Sequence, residues 1–293
     1  MLPEPIEKSV IEFLNNRNPD TSAEIHNTQP VSGGSINSAY RLETSQGDYF
    51  LKYNHAGRYP GMFEKEARGL KLLREPEVIP VPEVLLAGEA EEQAYLLMDY
   101  VDSAREASDL WDDFGENLAA LHAVKSERFG LDHHNYMGSL YQHNNLHDDW
   151  TEFFIVERLE RQVKLAREDG NLGRSDVSGF ERLYRRLDEI FPPVEPSLIH
   201  GDLWSGNFMT DANGRACLID PAVYFGHPEV DIAMSTLFGG FSERFYEAYN
   251  QHNPLEKGWR DRMDIYNLYP LMVHVNLFGG GYLNSVQRVL RRF

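Results

Sequence analysis

The sequence predicts an α+β protein in two lobes, a small sheet-plus-helix lobe followed by a larger, mostly helical one. Three observations carry that reading. Strand-like runs crowd the first hundred residues, helical spacing dominates from about residue 108 onward, and no repeat or low-complexity linker intervenes. The boundary falls near residue 101, giving lobes of residues 1–101 and 102–293. A chain of 293 residues, 42% apolar and 12% aromatic, has ample material for buried cores and is far from the composition of a disordered polymer.

The elements follow in order. Ile6, Val10, Phe13 and Leu14 recur at helical spacing in the opening segment. Strands are predicted over 26–31, 38–43 and 49–53, separated by the turn-like Ser32-Gly33-Gly34-Ser35 and Ser45-Gln46-Gly47-Asp48. Residues 62–74 return to helical spacing through Phe63, Ala67, Leu70 and Leu73, and Pro76, Pro80 and Pro82 end that helix. Strand-like runs follow at 84–87 and 94–98. Helical patterns then occupy 108–124, 149–168, 178–190, 229–238, 241–251 and 258–277, interrupted by a short β-rich patch at 197–220.

Charge narrows the function classes. Acidic residues number 46 against 28 basic ones, a net charge of −18, which argues against a general nucleic-acid binder. Cys217 is alone in an apolar stretch, so neither an intrachain disulfide framework nor a cysteine zinc site is expected. The N-terminal segment mixes acids with apolar residues and lacks the basic start of a signal peptide. No run of 18 apolar residues occurs, so the expectation is a soluble, cytoplasmic protein without membrane partners.

The strongest local signal is Leu198-Ile199-His200-Gly201-Asp202-Leu203-Trp204-Ser205-Gly206-Asn207, followed by Leu218-Ile219-Asp220-Pro221-Ala222. An apolar strand delivers Asp202, Asn207 follows five residues later, and a second strand ends at Asp220. Phosphoryl transfer asks for such a set: one carboxylate to hold the attacking hydroxyl, and an amide oxygen with a second carboxylate to hold magnesium. Turn capping is the competing use of these residue types, but three of them behind apolar strands favour the chemical one.

Two further features are weaker alone. Gly33, Gly34 and Ser35 lie between strands, where backbone N–H groups could approach phosphate; no P-loop or dinucleotide fingerprint is present, because a strand follows. Lys52 is embedded in the apolar run Tyr49-Phe50-Leu51-Lys52-Tyr53. At 100° per residue, Glu66 lies roughly 45° from the centre of the apolar face of helix 62–74, whereas Glu64 lies more than about 100° away. Glu66 can therefore meet a lysine from the sheet.

In this order, glycine loop, strand lysine, helix glutamate, hinge, catalytic loop and metal aspartate, the pieces resemble the protein-kinase-like fold. HGDLWSGN, DPAVYFGHPEVDIA, the DDW-x-x-FF stretch at 148–154, FGLD at 129–132 and LFGGGYL at 277–283 resemble the fructosamine (ketosamine-3-) kinase family, from Gly33 to Leu283. The resemblance implies an antiparallel sheet in the first lobe and an enzyme that uses ATP and magnesium to phosphorylate the 3-hydroxyl of ketosamines. It further implies an unstable 3-phosphate product that sheds its amine. It implies Asp202 as catalytic base, Asn207 and Asp220 as magnesium ligands, and Lys52, held by Glu66, on the nucleotide phosphates. Met98-Asp99-Tyr100 would be the hinge that reads adenine, and Asp231 would brace the catalytic loop. Trp204 and Tyr224 would lie beside the acceptor, with an ordinary place in the core as the equal alternative for both. Where many relatives carry cysteine in the glycine loop, this chain has Ser35, so thiol-based control there is not expected.

The remaining candidates point to packing or solvent. His133, His134, His143 and His147 lack regular ligand spacing, His122 follows Leu118 and Leu121 as an interior histidine, and Phe238, Phe241, Phe245 and Tyr249 recur as core aromatics. A small-molecule ketosamine is the expected partner, and a monomer the expected state. Another small-molecule kinase, for an aminoglycoside, choline or a related amino alcohol, shares every catalytic residue, and a catalytically silent kinase-like domain is the rival from a different class.

Overall fold

The computed structural model describes residues 2–31 and 36–293. Its contacts group into two compact units, one of residues 2–107 with Met209–Asp220, the other of Ser108–Phe208 with Pro221–Phe293. The first unit therefore ends six residues beyond the boundary read near residue 101 and recruits a later segment. Backbone bonds explain the recruitment: Leu218 N–H donates to Pro80 O at 2.9 Å, Ala104 N–H to Asp211 O at 3.2 Å and Ala107 N–H to Gly214 O at 3.1 Å.

In the first unit, α1 (Glu4–Arg17) precedes strands β1 (Ile25–Val31), β2 (Ser38–Thr44) and β3 (Gly47–His55), then α2 (Met62–Arg74), β4 (Val84–Ala90) and β5 (Gln93–Asp99). The strands form an antiparallel sheet in the order β1-β2-β3-β5-β4. Pro5 sits in the first turn of α1, where no N–H is needed. Ile6, Val10 and Leu14 form one stripe of α1, packed with Leu42, Tyr49, Leu51, Tyr95 and Leu97 from the sheet. Each such side chain contributes about 1.5–3 kcal/mol by leaving water. Successive strand residues point to opposite faces. With Tyr49 and Leu51 committed to α1, Lys52 is delivered to the face that α2 covers.

The second unit begins with α3 (Leu110–His122) and the hairpin β6 (Asn135–Met137)–β7 (Leu140–Gln142). The long helical segment predicted over 149–168 is α4 (Trp150–Phe153), a π-helical turn Phe154–Leu159, and α5 (Glu160–Glu168). Then come α6 (Arg174–Tyr184), α7 (Leu187–Ile190) and β8 (Ser197–Ile199), while the paired strands β9 (Phe208–Thr210) and β10 (Ala216–Leu218) belong, Phe208 apart, to the first unit. The chain closes with β11 (Tyr224–Gly226), α8 (Glu229–Met234), α9 (Glu243–His252), α10 (Trp259–Tyr266), α11 (Leu268–Phe278) and α12 (Leu283–Leu290). β11 pairs antiparallel with β8, Tyr224 opposite Ile199.

Helices α3 and α9 meet at Gly115, where a Cβ would stand 2.4 Å from the carbonyl oxygen of Phe245. Only glycine permits that approach. Phe241, Phe245 and Tyr249 are buried as expected, but Phe238 is 39% exposed and does not belong to the core. The π-helical turn brings both Glu157 and Arg158 inside, at 3% and 0% exposure. The Arg158 guanidinium lies 3.9 Å from the centre of the Tyr224 ring and donates to Asn144 Oδ1 at 2.8 Å and to the His143 carbonyl. Among the described residues, no helix is long and apolar enough to cross a membrane.

Candidate active site

In the first unit, Lys52 Nζ forms an ion pair with Glu66 and donates to Asp220 Oδ1 at 2.6 Å. Lys52 is 5% exposed. Burial alone would lower the ammonium's pKa, but the carboxylates of Asp220 and Glu66 outweigh it and hold the pKa above its ordinary value. Burial pushes the Glu66 carboxyl upward and Asp220 adds to that, while Lys52 opposes both. The α2 face carrying Glu66 is thus the one turned to the sheet. Asp220 has φ +51°, the left-handed region that aspartate tolerates better than most residues, and its side chain keeps 55% exposure. A strained, half-open carboxylate next to a fixed ammonium is suited to holding a cation that accompanies phosphate.

The expected hinge lies at the end of β5. Met98 is buried between Phe50 and Val84, Asp99 N–H donates to Glu83 O at 3.0 Å, and Tyr100 N–H reaches Asp48 O at 3.4 Å. Those two N–H groups are spent within the sheet, so the segment's carbonyls are what it can offer a base. Arg41 sits 4.5 Å over the Tyr100 ring. Gly33, Gly34 and Ser35 lie outside the described residues.

In the second unit, β8 runs into the His200-Gly201-Asp202 turn. Gly201 has φ +82°, and a Cβ on it would stand 2.2 Å from the Ala222 carbonyl oxygen, so this position admits glycine only. Ala222 N–H in turn donates to His200 O at 2.9 Å. Asp231, fully buried, accepts the N–H of His200 at 2.7 Å through Oδ2 and the N–H of Gly201 at 2.9 Å through Oδ1. The Asp202 N–H donates to His200 Nδ1 at 3.2 Å. Asn207 Nδ2 donates to Asp202 O at 2.8 Å and to Asp202 Oδ2 at 2.9 Å. With its nitrogen turned to Asp202, the Asn207 amide directs its oxygen the other way.

Sequence reasoning saw His122 only as an interior residue. Its Nε2 lies 3.2 Å from Asp231 Oδ2 and its Nδ1 2.7 Å from Tyr249 Oη, which also accepts from Asn253 Nδ2 at 2.9 Å. With its proton on Nε2, His122 donates to Asp231 and accepts from Tyr249, which satisfies both partners. No local pattern announces this, because the partner carboxylate lies 109 residues away along the chain.

The two expected acceptor aromatics separate. Trp204 is half-buried, with its ring over Gly206 and 5.6 Å from the Phe238 ring, near perpendicular. Tyr224 is 0% exposed, with Arg158 on its ring and Phe153 5.5 Å away, so it has no face to give a sugar. It is a core residue of the strand behind the His200-Gly201-Asp202 turn. The four clustered histidines divide among separate partners: His133 with Asp132, His134 with the Asn144 N–H, and His147 between Glu152 and Glu157, while His143 gives its carbonyl to Arg158.

The fructosamine kinase family model matches residues 7–293. An Enterococcus faecium protein named a probable ketoamine kinase is 42% identical over 269 residues, 90% of this chain and 94% of its own length. A crystal structure of a Thermobifida fusca protein provisionally named a fructosamine-3-kinase superposes with a TM-score of 0.85 at 34% identity, covering 97% of both chains. An aminoglycoside phosphotransferase crystallised with AMP-PNP and hygromycin B matches 97% of this chain at 18% identity, with a TM-score of 0.64, a likeness of fold alone.

Proposed function

Because the chain belongs to the fructosamine kinase family, we propose that it transfers the γ-phosphoryl group of ATP to the 3-hydroxyl of a ketosamine, a sugar joined to an amine by glycation. The observation that carries the chemistry is the ordering of Asp202: its turn is clamped by Asp231, and its own oxygen is held by Asn207. A carboxylate so fixed accepts the hydroxyl's hydrogen bond and takes its proton as the oxygen–phosphorus bond forms and the bond to the β-phosphate oxygen breaks, releasing ADP.

The side-chain types fit magnesium-ATP. Asn207 and Asp220 would each offer a hard oxygen of the kind magnesium takes, and Lys52 would meet the α- and β-phosphates. Bound there, the metal would neutralise phosphate charge. Lys52 performs its part only while charged and aimed, which Glu66 ensures through the buried ion pair. Asp202 orients the acceptor, and Trp204 offers it an indole face beside the same loop.

Incubation with magnesium-ATP and fructosyl-lysine, kanamycin or choline, read by mass spectrometry, tests this reading. One phosphoryl group added at C3 of fructosyl-lysine is the expected result. Transfer to kanamycin or choline with none to fructosyl-lysine would overturn the acceptor assignment and leave the kinase chemistry standing.

A further inference from the structure

Outside the elements just described, the second unit carries a chain of aromatic rings that begins at the catalytic loop and runs to the surface. Trp204 meets Phe238 at 5.6 Å, and Ser205 Oγ reaches the Phe238 carbonyl at 3.5 Å. Phe238 lies 5.0 Å from the His274 ring, and His274 lies 4.8 Å from Tyr282 and 5.6 Å from Phe278. Core packing does not account for these residues, since Phe278 is 60% exposed and Phe238 39%. Phe238 also holds φ +56°, a conformation unfavourable for a bulky side chain and found chiefly where function over-determines the backbone. The glycines at 279–281 have nothing within 4 Å of where a Cβ would stand, so the approach to Phe278 is open.

His274 adds direction. Its Nδ1 lies 2.7 Å from the Pro270 carbonyl, one turn back on α11, so that nitrogen carries the proton and donates. Nε2, on the other side of the ring from that bond, is the nitrogen left to meet a ligand. Ring faces around a nitrogen acceptor suit an alkylammonium group with an apolar extension. A ketosamine has that chemistry: a secondary ammonium next to the sugar, carrying an alkyl or aryl substituent. The chain's net charge of −18 favours such a cation.

We infer that Phe238 and His274 receive the ketosamine's ammonium and that Phe278 and Tyr282, at the rim, receive only its nitrogen substituent, while Trp204 and Asp202 attend to the sugar. The inference rests on the ketosamine reading above. The rim therefore sets which amines are accepted and leaves the transfer step to the loop.

The test compares unsubstituted 1-amino-1-deoxyfructose with its N-benzyl derivative, in the wild type and in Phe278→Ser, Tyr282→Ser and Phe278→Tyr. The wild type should show a lower KM for the N-benzyl compound. Phe278→Ser and Tyr282→Ser should raise that KM about 5-fold each, the size of losing one exposed aromatic contact, with kcat and the KM for the unsubstituted sugar unchanged. Phe278→Tyr should keep the low KM. Phe278 is exposed enough that its serine variant tests the idea even if Tyr282→Ser fails to fold. Equal effects on both sugars, or none on either, would overturn the subsite while leaving the ketosamine reading intact. Failure of the wild type to phosphorylate any fructosamine would remove both.

Discussion

Lys52 Nζ lies 2.6 Å from Asp220 Oδ1, although 168 residues separate them in the chain. The lysine arrives on a central strand of the sheet and the aspartate at the end of the segment recruited from beyond Phe208, so one ammonium joins the two sequence signals that each suggested phosphate chemistry. Glu66 completes the arrangement from α2.

Lys52→Met should reduce kcat/KM for ATP by at least about 100-fold, because the phosphates lose a charged, desolvated partner. Glu66→Gln should weaken catalysis more than Glu64→Gln, since the ion pair with Lys52 belongs to Glu66. Steady-state kinetics of the three variants decide it. A larger loss in the Glu64 variant would mean that the ion pair does not govern the lysine.

Asp202→Asn removes a proton acceptor while preserving shape and the capacity to accept from Asn207. Turnover should fall by about 10²–10⁴, with nucleotide affinity nearly unchanged. Calorimetric nucleotide titration beside single-turnover assays separates the two quantities. Near wild-type turnover would take Asp202 out of the base role.

Asp231→Ala would leave the N–H groups of His200 and Gly201 without their acceptor in a fully buried site. Each orphaned donor costs about 1–3 kcal/mol. The variant should melt lower and lose kcat, and His122→Ala should show a milder form of the same pattern. Asp231→Asn, which keeps one acceptor oxygen, should recover part of the loss in kcat. Wild-type kcat in Asp231→Ala would show that the loop holds its shape without the clamp.

His227 governs part of the acid limb. It is buried against Trp150 and Tyr266, and its Nδ1 accepts the Glu229 N–H at 3.1 Å. Burial, and to a lesser degree Arg262, His122 and Lys125, push its pKa down to about 3. The unfolded chain protonates this group first, so its contribution to stability is present above about pH 6.5 and is lost as pH falls from there toward the folded value. The slope is about 1.4 kcal/mol per pH unit. Urea unfolding from pH 7 to pH 5 should show a steeper decline in the wild type than in His227→Asn. Parallel slopes would mean that other groups set the acid limit.

Much of the site was legible because its chemistry is written in short, local segments. His200 to Asn207, Asp220 and Asp231 stand behind apolar strands or open a helix, and the helical phase of α2 singles out Glu66. Tyr224 was misjudged from the same kind of reading. An aromatic two residues beyond Ala222 looks alike whether it faces solvent or core, and only the π-helical turn that brings Arg158 onto its ring decides which.

Local pattern thus determined the order of elements, the residues proposed for phosphoryl transfer and the face of α2 that carries Glu66, because helical and strand periodicities are properties of neighbours in sequence. Tertiary structure alone decided that Met209–Asp220 joins the first unit, that His122 and Tyr249 stand behind Asp231, and that Phe238 leaves the core to meet His274 and Trp204. Each of these depends on partners distant in the chain. Burial and hydrogen-bond satisfaction choose such partners only when the whole fold closes, and no window of sequence contains that choice.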